Sequence, residues 1–220
     1  MKKIYVSPSD QVRNLYAYGD TNEAVVCREI AGKLCVALER CGFETKTDYS
    51  DGSDAMYARC RQSDDWGADL HICIHTNAFN GQVTGTRIFS YNYTGESYKA
   101  CKCVFDALAP VTPGTSENIT ANSSLYEIRV PNAVSVYVEV DFHDVPKMAK
   151  WLIENTDAVA EAICKGVCDY YGASYKEPQS TLYRVQVGAF RVYENATAYV
   201  EKLKKDGYDA FIVEVPSTTS

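Results

Sequence analysis

Residues 68–76 read ADLHICIHT, and after the opening Asp no polar side chain interrupts the apolar rhythm except histidine until the run reaches His75 and Thr76. A strand of this composition has no face it can turn to water, so it must lie inside a sheet that is covered on both sides. Residues 133–142, AVSVYVEVDF, pose the same problem with a β-branched run. Shorter strands are expected at 3–7, 43–48 and 85–91, and they alternate with helices. The first helix, 23–41, carries Cys27, Ile30, Leu34 and Leu38 at helical spacing and stops at Gly42. Further helices are expected at 53–66, with Ser53 as cap, at 96–108, and within 145–171, broken near Asn155-Thr156-Asp157. Residues 110–124, rich in Pro, Thr, Ser, Asn and Gly, read as a long loop. This alternation implies an α/β fold: a mostly parallel central sheet with helices on both faces.

At 220 residues the chain has room for one full-sized domain and a small companion. The main domain is expected over 1–172 and a linker over 173–181. A small C-terminal βαβ fragment follows over 182–220, with strands at 182–187 and 209–215 and a helix at 194–205. With 29 acidic against 22 basic residues, a formal charge of −7 and no basic run, binding to nucleic acid is not expected, nor is membrane insertion. Met1-Lys2-Lys3 is not followed by an apolar run of export length, so synthesis in the cytoplasm without a signal peptide is expected. Nine cysteines occur without a Cys-x-x-Cys pair. Cys27, Cys35, Cys73, Cys164 and Cys168 sit inside apolar patterns and read as buried thiols in a reducing compartment.

In a parallel sheet, ligands collect at the carboxyl ends of the strands, which is where His75 falls. His71 shares its face but lies about 13 Å away along the strand, too far to share one metal ion, and reads as structural. Glu23 occupies the first turn of its helix on the same stripe as Cys27 and Ile30. It is either an acid favoured by the helix dipole or an inward carboxylate in need of a partner. Glu139 interrupts VSVYVEV, and a charge inside a buried strand is costly unless paired or metal-linked. His143 follows four residues later, with Asp144 beside it.

Three segments in this order, Thr21-Asn22-Glu23, Ile74-His75-Thr76-Asn77-Ala78 and Val138-Glu139-Val140-Asp141-Phe142, carry a likeness. Residues 1 to about 172 resemble the zinc-dependent N-acetylmuramoyl-L-alanine amidases, cell-wall hydrolases that include many autolysins and endolysins. The resemblance implies a peptidoglycan substrate, action on the cell wall, and a Zn²⁺ cofactor held by Glu23 and His75. It further implies Glu139 as the catalytic carboxylate and a cleft where Asn77, Tyr126 and Arg129 position substrate. An open-sided zinc site polarises a carbonyl and activates water, while a nearby Glu shuttles the proton. Where the family usually has Asp-Pro-Gly-His-Gly, with the first zinc-binding histidine, this chain has Ser7-Pro8-Ser9-Asp10-Gln11. His143 is expected to supply the missing ligand, with Asp10 the next choice and the Gln11 amide a poor donor. Without a third ligand, the scaffold would serve as a peptidoglycan-binding protein that does not hydrolyse. The tail LYRVQVGAFRVYENATAYVEKLKKDGYDAFIV resembles the opening half of a SPOR domain, a module that binds glycan strands stripped of their stem peptides.

Overall fold

The computed structural model describes residues 1–179 and 185–215. The chain divides into two compact units, Met1–Pro178 and Gln179–Ser220. The first is built on a six-stranded sheet of order β2-β1-β3-β6-β4-β5. Its strands are β1 (Lys3–Pro8), β2 (Glu44–Thr47), β3 (Leu70–Asn77), β4 (Arg87–Ser90), β5 (Asn118–Ala121) and β6 (Val134–Phe142). All pairings are parallel except that of β4 with β6. The two strands expected to be covered on both faces, β3 and β6, lie side by side at the centre, and both are buried along nearly their whole length.

Helices α1 (Glu23–Arg40), α2 (Ala55–Trp66), α3 (Gly95–Leu108), α4 (Tyr126–Arg129), α5 (Pro146–Glu154) and α6 (Thr156–Tyr171) complete the unit. Alternation along β3 and β6 gives the sheet two unlike sides. Ile72, Ile74, Val136, Val138 and Val140 face one way and join Ile30, Leu34 and Leu38 of α1, Val104 and Leu108 of α3, and Ile163 and Val167 of α6 in one apolar core. Each such side chain contributes about 1.5–3 kcal/mol on burial. The opposite side carries His71, Cys73, His75, Tyr137 and Glu139, and only Cys73 and Tyr137 pack there with Ile128 of α4 in a small apolar cluster. One face holds the fold together, which leaves the other free for polar chemistry.

The 110–124 segment departs from the expected loop. It contains β5, which pairs with β4 in the register Ile88↔Ile119; four residues are too few to show a period, so only the pairing reveals the strand. The loop before it lies so close to the residues leading into β4 that a Cβ on Gly114 would stand 2.2 Å from the Gly85 Cα. Gly85 itself has φ +108°, and its N–H donates to Asp141 Oδ1 at 2.8 Å. The cap of α2 is Asp54 rather than Ser53, and its side chain makes no capping bond.

Residues 173–178, expected as linker, belong to the first unit. The Lys176 N–H donates to Cys41 Sγ at 3.4 Å, and Arg40 Nε donates to the Lys176 carbonyl at 2.8 Å. In the second unit α7 (Tyr193–Lys205) forms, with none of its residues buried. Of the strand expected at 182–187, residues 182–184 lie outside the described residues. Residues 185–187 and 209–215 form no ladder among the described residues. Val185, Val187, Phe211 and Val215 are exposed, and a strand without a paired neighbour has nothing to satisfy its backbone or cover its apolar face. All nine cysteines are free, seven of them buried. Among the described residues, no helix is long and apolar enough to cross a membrane.

Candidate active site

The site forms where α1 begins, at the carboxyl ends of β1 and β3. Asn22 caps α1, its Oδ1 accepting from the Val25 N–H at 3.1 Å, and the Glu23 N–H donates to the Asn14 carbonyl at 2.9 Å. These bonds fix the first turn so that the Glu23 side chain, 1% exposed, points inward. Its Oε1 lies 2.8 Å from His75 Nδ1, and its Oε2 accepts from Asn14 Nδ2 at 2.7 Å. The Gln11 amide nitrogen stands 3.4 Å from the same His75 Nδ1. Parallel pairing places Glu139 of β6 directly beside His75. Glu139 Oε2 is enclosed with no hydrogen-bond partner. The imidazole stacks on Tyr137, ring centres 4.6 Å apart and planes 14° from parallel. Asp10, Gln11 and Asn14 also line a cavity of about 470 Å³, with Asp51, Gly52 and Ser53 on its other side.

Behind His75 stands Glu127, which the sequence reading did not single out. Its Oε2 lies 3.8 Å from His75 Nε2, an ion-pair approach too long for a hydrogen bond. Its Oε1 is 3.4 Å from His71 Nε2 and accepts a short bond from the Ser7 hydroxyl. Arg59 Nε donates to that hydroxyl at 3.0 Å, and the Arg59 guanidinium pairs with Asp10 at 3.2 Å. His71 and His75 therefore share one carboxylate although they cannot share one ion. His71, fully buried, stacks on Tyr5 at 5.4 Å.

Three carboxylates around one imidazole pull the titrations in opposite directions. Burial disfavours the His75 proton, but Glu127, Glu23 and Glu139 outweigh it and raise the group to about 10. Burial, with the Glu23 charge adding to it, pushes Glu139 up to about 8 against the pull of His75. Burial would raise Glu23 too, but its bonds to His75 and Asn14 hold it below the usual range. In Glu127 burial is likewise overcome by His71 and His75, and the carboxyl sits well below that range. The Glu23 and Glu127 carboxylates thus favour the protonated imidazole, while burial favours the protonated Glu139 carboxyl.

The remaining candidates are placed differently. His143 is buried with its Nδ1 2.9 Å from the Thr76 hydroxyl and its ring stacked on Tyr16 at 5.0 Å. Thr76 and His75 are consecutive strand residues and point to opposite faces. His143 therefore engages the face away from the His75 ring, and burial lowers its proton affinity. Asp10 is turned to Arg59. The residue of Ser7-Pro8-Ser9-Asp10-Gln11 that reaches His75 is Gln11. Asn77 ends β3 with its Oδ1 accepting from the Ala78 N–H at 2.8 Å, Tyr126 packs edge-on to Tyr57 at 4.6 Å, and Arg129 is exposed.

Residues 12–169 match the family model described as N-acetylmuramoyl-L-alanine amidase. The chain belongs to that family. Residues 168–219 match the model of the SPOR domain. The sporulation-specific N-acetylmuramoyl-L-alanine amidase of Bacillus subtilis (strain 168) is 22% identical over 167 residues, covering 74% of this chain and 64% of that protein. The N-acetylmuramoyl-L-alanine amidase CwlM of Bacillus licheniformis is 25% identical over 168 residues, with the same coverage of 74% and 64%. The chain thus spans 64% of the length of these curated relatives. The catalytic domain of CwlV from Bacillus (Paenibacillus) polymyxa var. colistinus shares the fold with a TM-score of 0.71 at 19% identity, over 79% of this chain and 100% of that one. The CwlD amidase of Clostridioides difficile, solved in complex with the GerS lipoprotein, does so at 0.70 and 21%, over 78% and 99%.

Amidases of this family are generally zinc-dependent, and the residues here fit such an ion in their chemistry. An imidazole nitrogen and a carboxylate oxygen stand 2.8 Å apart, both borderline-to-hard donors that zinc accepts. Glu139 Oε2 beside them is a buried acceptor with no partner, an arrangement that costs about 1–3 kcal/mol unless something answers it. Among the described residues, no third His, Cys, Asp or Glu brings a ligand atom within 4.8 Å of both. Gln11 is the side chain standing in that place.

Proposed function

We propose that the chain hydrolyses the amide between the lactyl group of N-acetylmuramic acid and L-alanine in peptidoglycan, acting on the cell wall. The observation that carries this reading is the convergence of Glu23, His75 and Glu139 at the strand ends of an amidase-family domain. Glu23 and His75 would hold Zn²⁺ through Oε1 and Nδ1, with Gln11 beside them. The bound ion supplies Lewis acidity toward the scissile carbonyl and lowers the pKa of water.

The chain's own residues do the rest. Tyr137 stacking and the Glu127 carboxylate hold the imidazole in one orientation. Glu139, paired beside His75 with its Oε2 free of any hydrogen bond, is placed to take a proton from water at its carboxylate and return it to the leaving L-alanine nitrogen. The cavity beside Gln11 and Asn14 gives a glycopeptide access to this edge. Residues 182–220, through their SPOR likeness, are read as a glycan-binding tail.

Incubation of the purified chain with peptidoglycan sacculi tests the reading. New L-alanine amino termini, absent with Glu139→Gln or His75→Ala, are the expected result. Release of reducing sugar ends, or binding without any new amino termini, would overturn it; the latter would make the chain a wall-binding protein on an amidase scaffold.

A further inference from the structure

At the far end of α1, roughly 27 Å along the helix from Glu23, three thiols meet. Cys41 caps α1, and Cys164 and Cys168 stand one turn apart on the same side of α6. Cys41 and Cys164 Sγ atoms are 3.7 Å apart, and all three sulfurs lie within 4.8 Å of one another. All three residues are buried. The Lys176 backbone closes the cluster: its N–H donates to Cys41 Sγ at 3.4 Å, and its carbonyl oxygen is 4.0 Å from the same sulfur. Arg40, at the last turn of α1, holds that carbonyl at 2.8 Å.

We propose that Cys41, Cys164 and Cys168 form a second metal site, taking Zn²⁺ as three thiolates with the Lys176 carbonyl facing the fourth place. Zinc–sulfur bonds of about 2.3 Å in a tetrahedron set neighbouring sulfurs about 3.8 Å apart, close to the spacing already present between Cys41 and Cys164. A backbone N–H aimed at sulfur is the contact that a ligating thiolate needs. Each thiol gives its proton to solvent on binding, and three thiolates with Zn²⁺ leave one net negative charge beside the Arg40 guanidinium. Because each thiol must lose its proton to bind, binding tightens as pH rises. The role is structural. The ion ties α1, α6 and residues 173–178 together where the chain leaves the first unit.

The test uses the full chain carrying Glu23→Ala and His75→Ala, which removes the imidazole–carboxylate pair and leaves every cysteine in place. After reduction and loading, about one zinc equivalent is expected to remain, and Co²⁺ substitution is expected to give an intense near-ultraviolet thiolate-to-metal charge-transfer band. Both are expected to vanish on adding Cys164→Ser, with Cys41→Ser as a second variant should the first fail to fold. No residual metal, a cobalt spectrum without the thiolate band, or a band that survives Cys164→Ser would overturn the proposal. So would a Cys41–Cys164 disulfide in protein purified under reducing conditions.

Discussion

Replacing Glu127 by Gln keeps the shape of the side chain and removes its charge from a place where three groups depend on it. Glu127 is 2% exposed and sits against His71 at 3.4 Å, His75 at 3.8 Å and the Ser7 hydroxyl, behind which lies Arg59. Breaking a buried charge arrangement by removing one partner costs about 3–5 kcal/mol. Arg59 keeps Asp10 at 3.2 Å, so the loss belongs near the lower end. For a domain of this size about 1 kcal/mol moves Tm by about 2–4 °C, which predicts a fall of about 6–12 °C in thermal unfolding followed by circular dichroism. The same substitution removes one of the groups that orient the imidazole, leaving the Glu23 contact and the Tyr137 stacking, and loss of a carboxylate behind a metal-binding histidine lowers affinity about 10–100-fold. Zinc titration by calorimetry measures that second effect independently. A Tm within about 2 °C of the parent together with unchanged zinc affinity would show that Glu127 neither carries the buried network nor orients His75.

Gln11→His puts an imidazole where a neutral amide now meets His75 Nδ1; zinc affinity measured by chelator competition is expected to rise at least tenfold. His143→Ala is expected to leave zinc stoichiometry unchanged and to lower stability by about 1–3 kcal/mol through the lost stacking on Tyr16 and the lost bond to Thr76, whose hydroxyl keeps Tyr16 as a partner. Glu139 has a folded value of about 8, above its ordinary 4.5, so its contribution to stability is complete below about 4.5 and is lost as pH rises through 8. Urea unfolding of the metal-free chain should weaken across that window, and Glu139→Gln should remove that part of the decline. Gly114→Ala drives a methyl into the Gly85 backbone, 2.2 Å from its Cα, and is expected to cost about 3 kcal/mol or more in the same unfolding assay.

The central strands were legible because their chemistry has one solution: β3 and β6 carry apolar residues on both parities, and only the middle of a covered sheet accepts that. The stripe Cys27, Ile30, Leu34, Leu38 likewise announced α1 and the inward direction of Glu23. Glu139 stood out because a charge among β-branched residues demands a reason. What escaped was short or distant. Four-residue β5 and one-turn α4 show no period, and Glu127 sits on that one turn with nothing local to mark it. The surroundings of His143 and Asp10 were beyond sequence reasoning because strand parity at Thr76 and the Arg59 ion pair set them.

From its order of residues alone this chain was bound to bury two hydrophobic strands beneath helices and to bring a histidine and two acids toward one edge, since periodicity and the cost of buried charge are local properties. Which acid touches which ring nitrogen, and which sulfurs meet at the other end of α1, depended on neighbours fifty to a hundred and more residues apart. Those contacts follow from strand register and helix packing, which exist only once the chain has closed on itself.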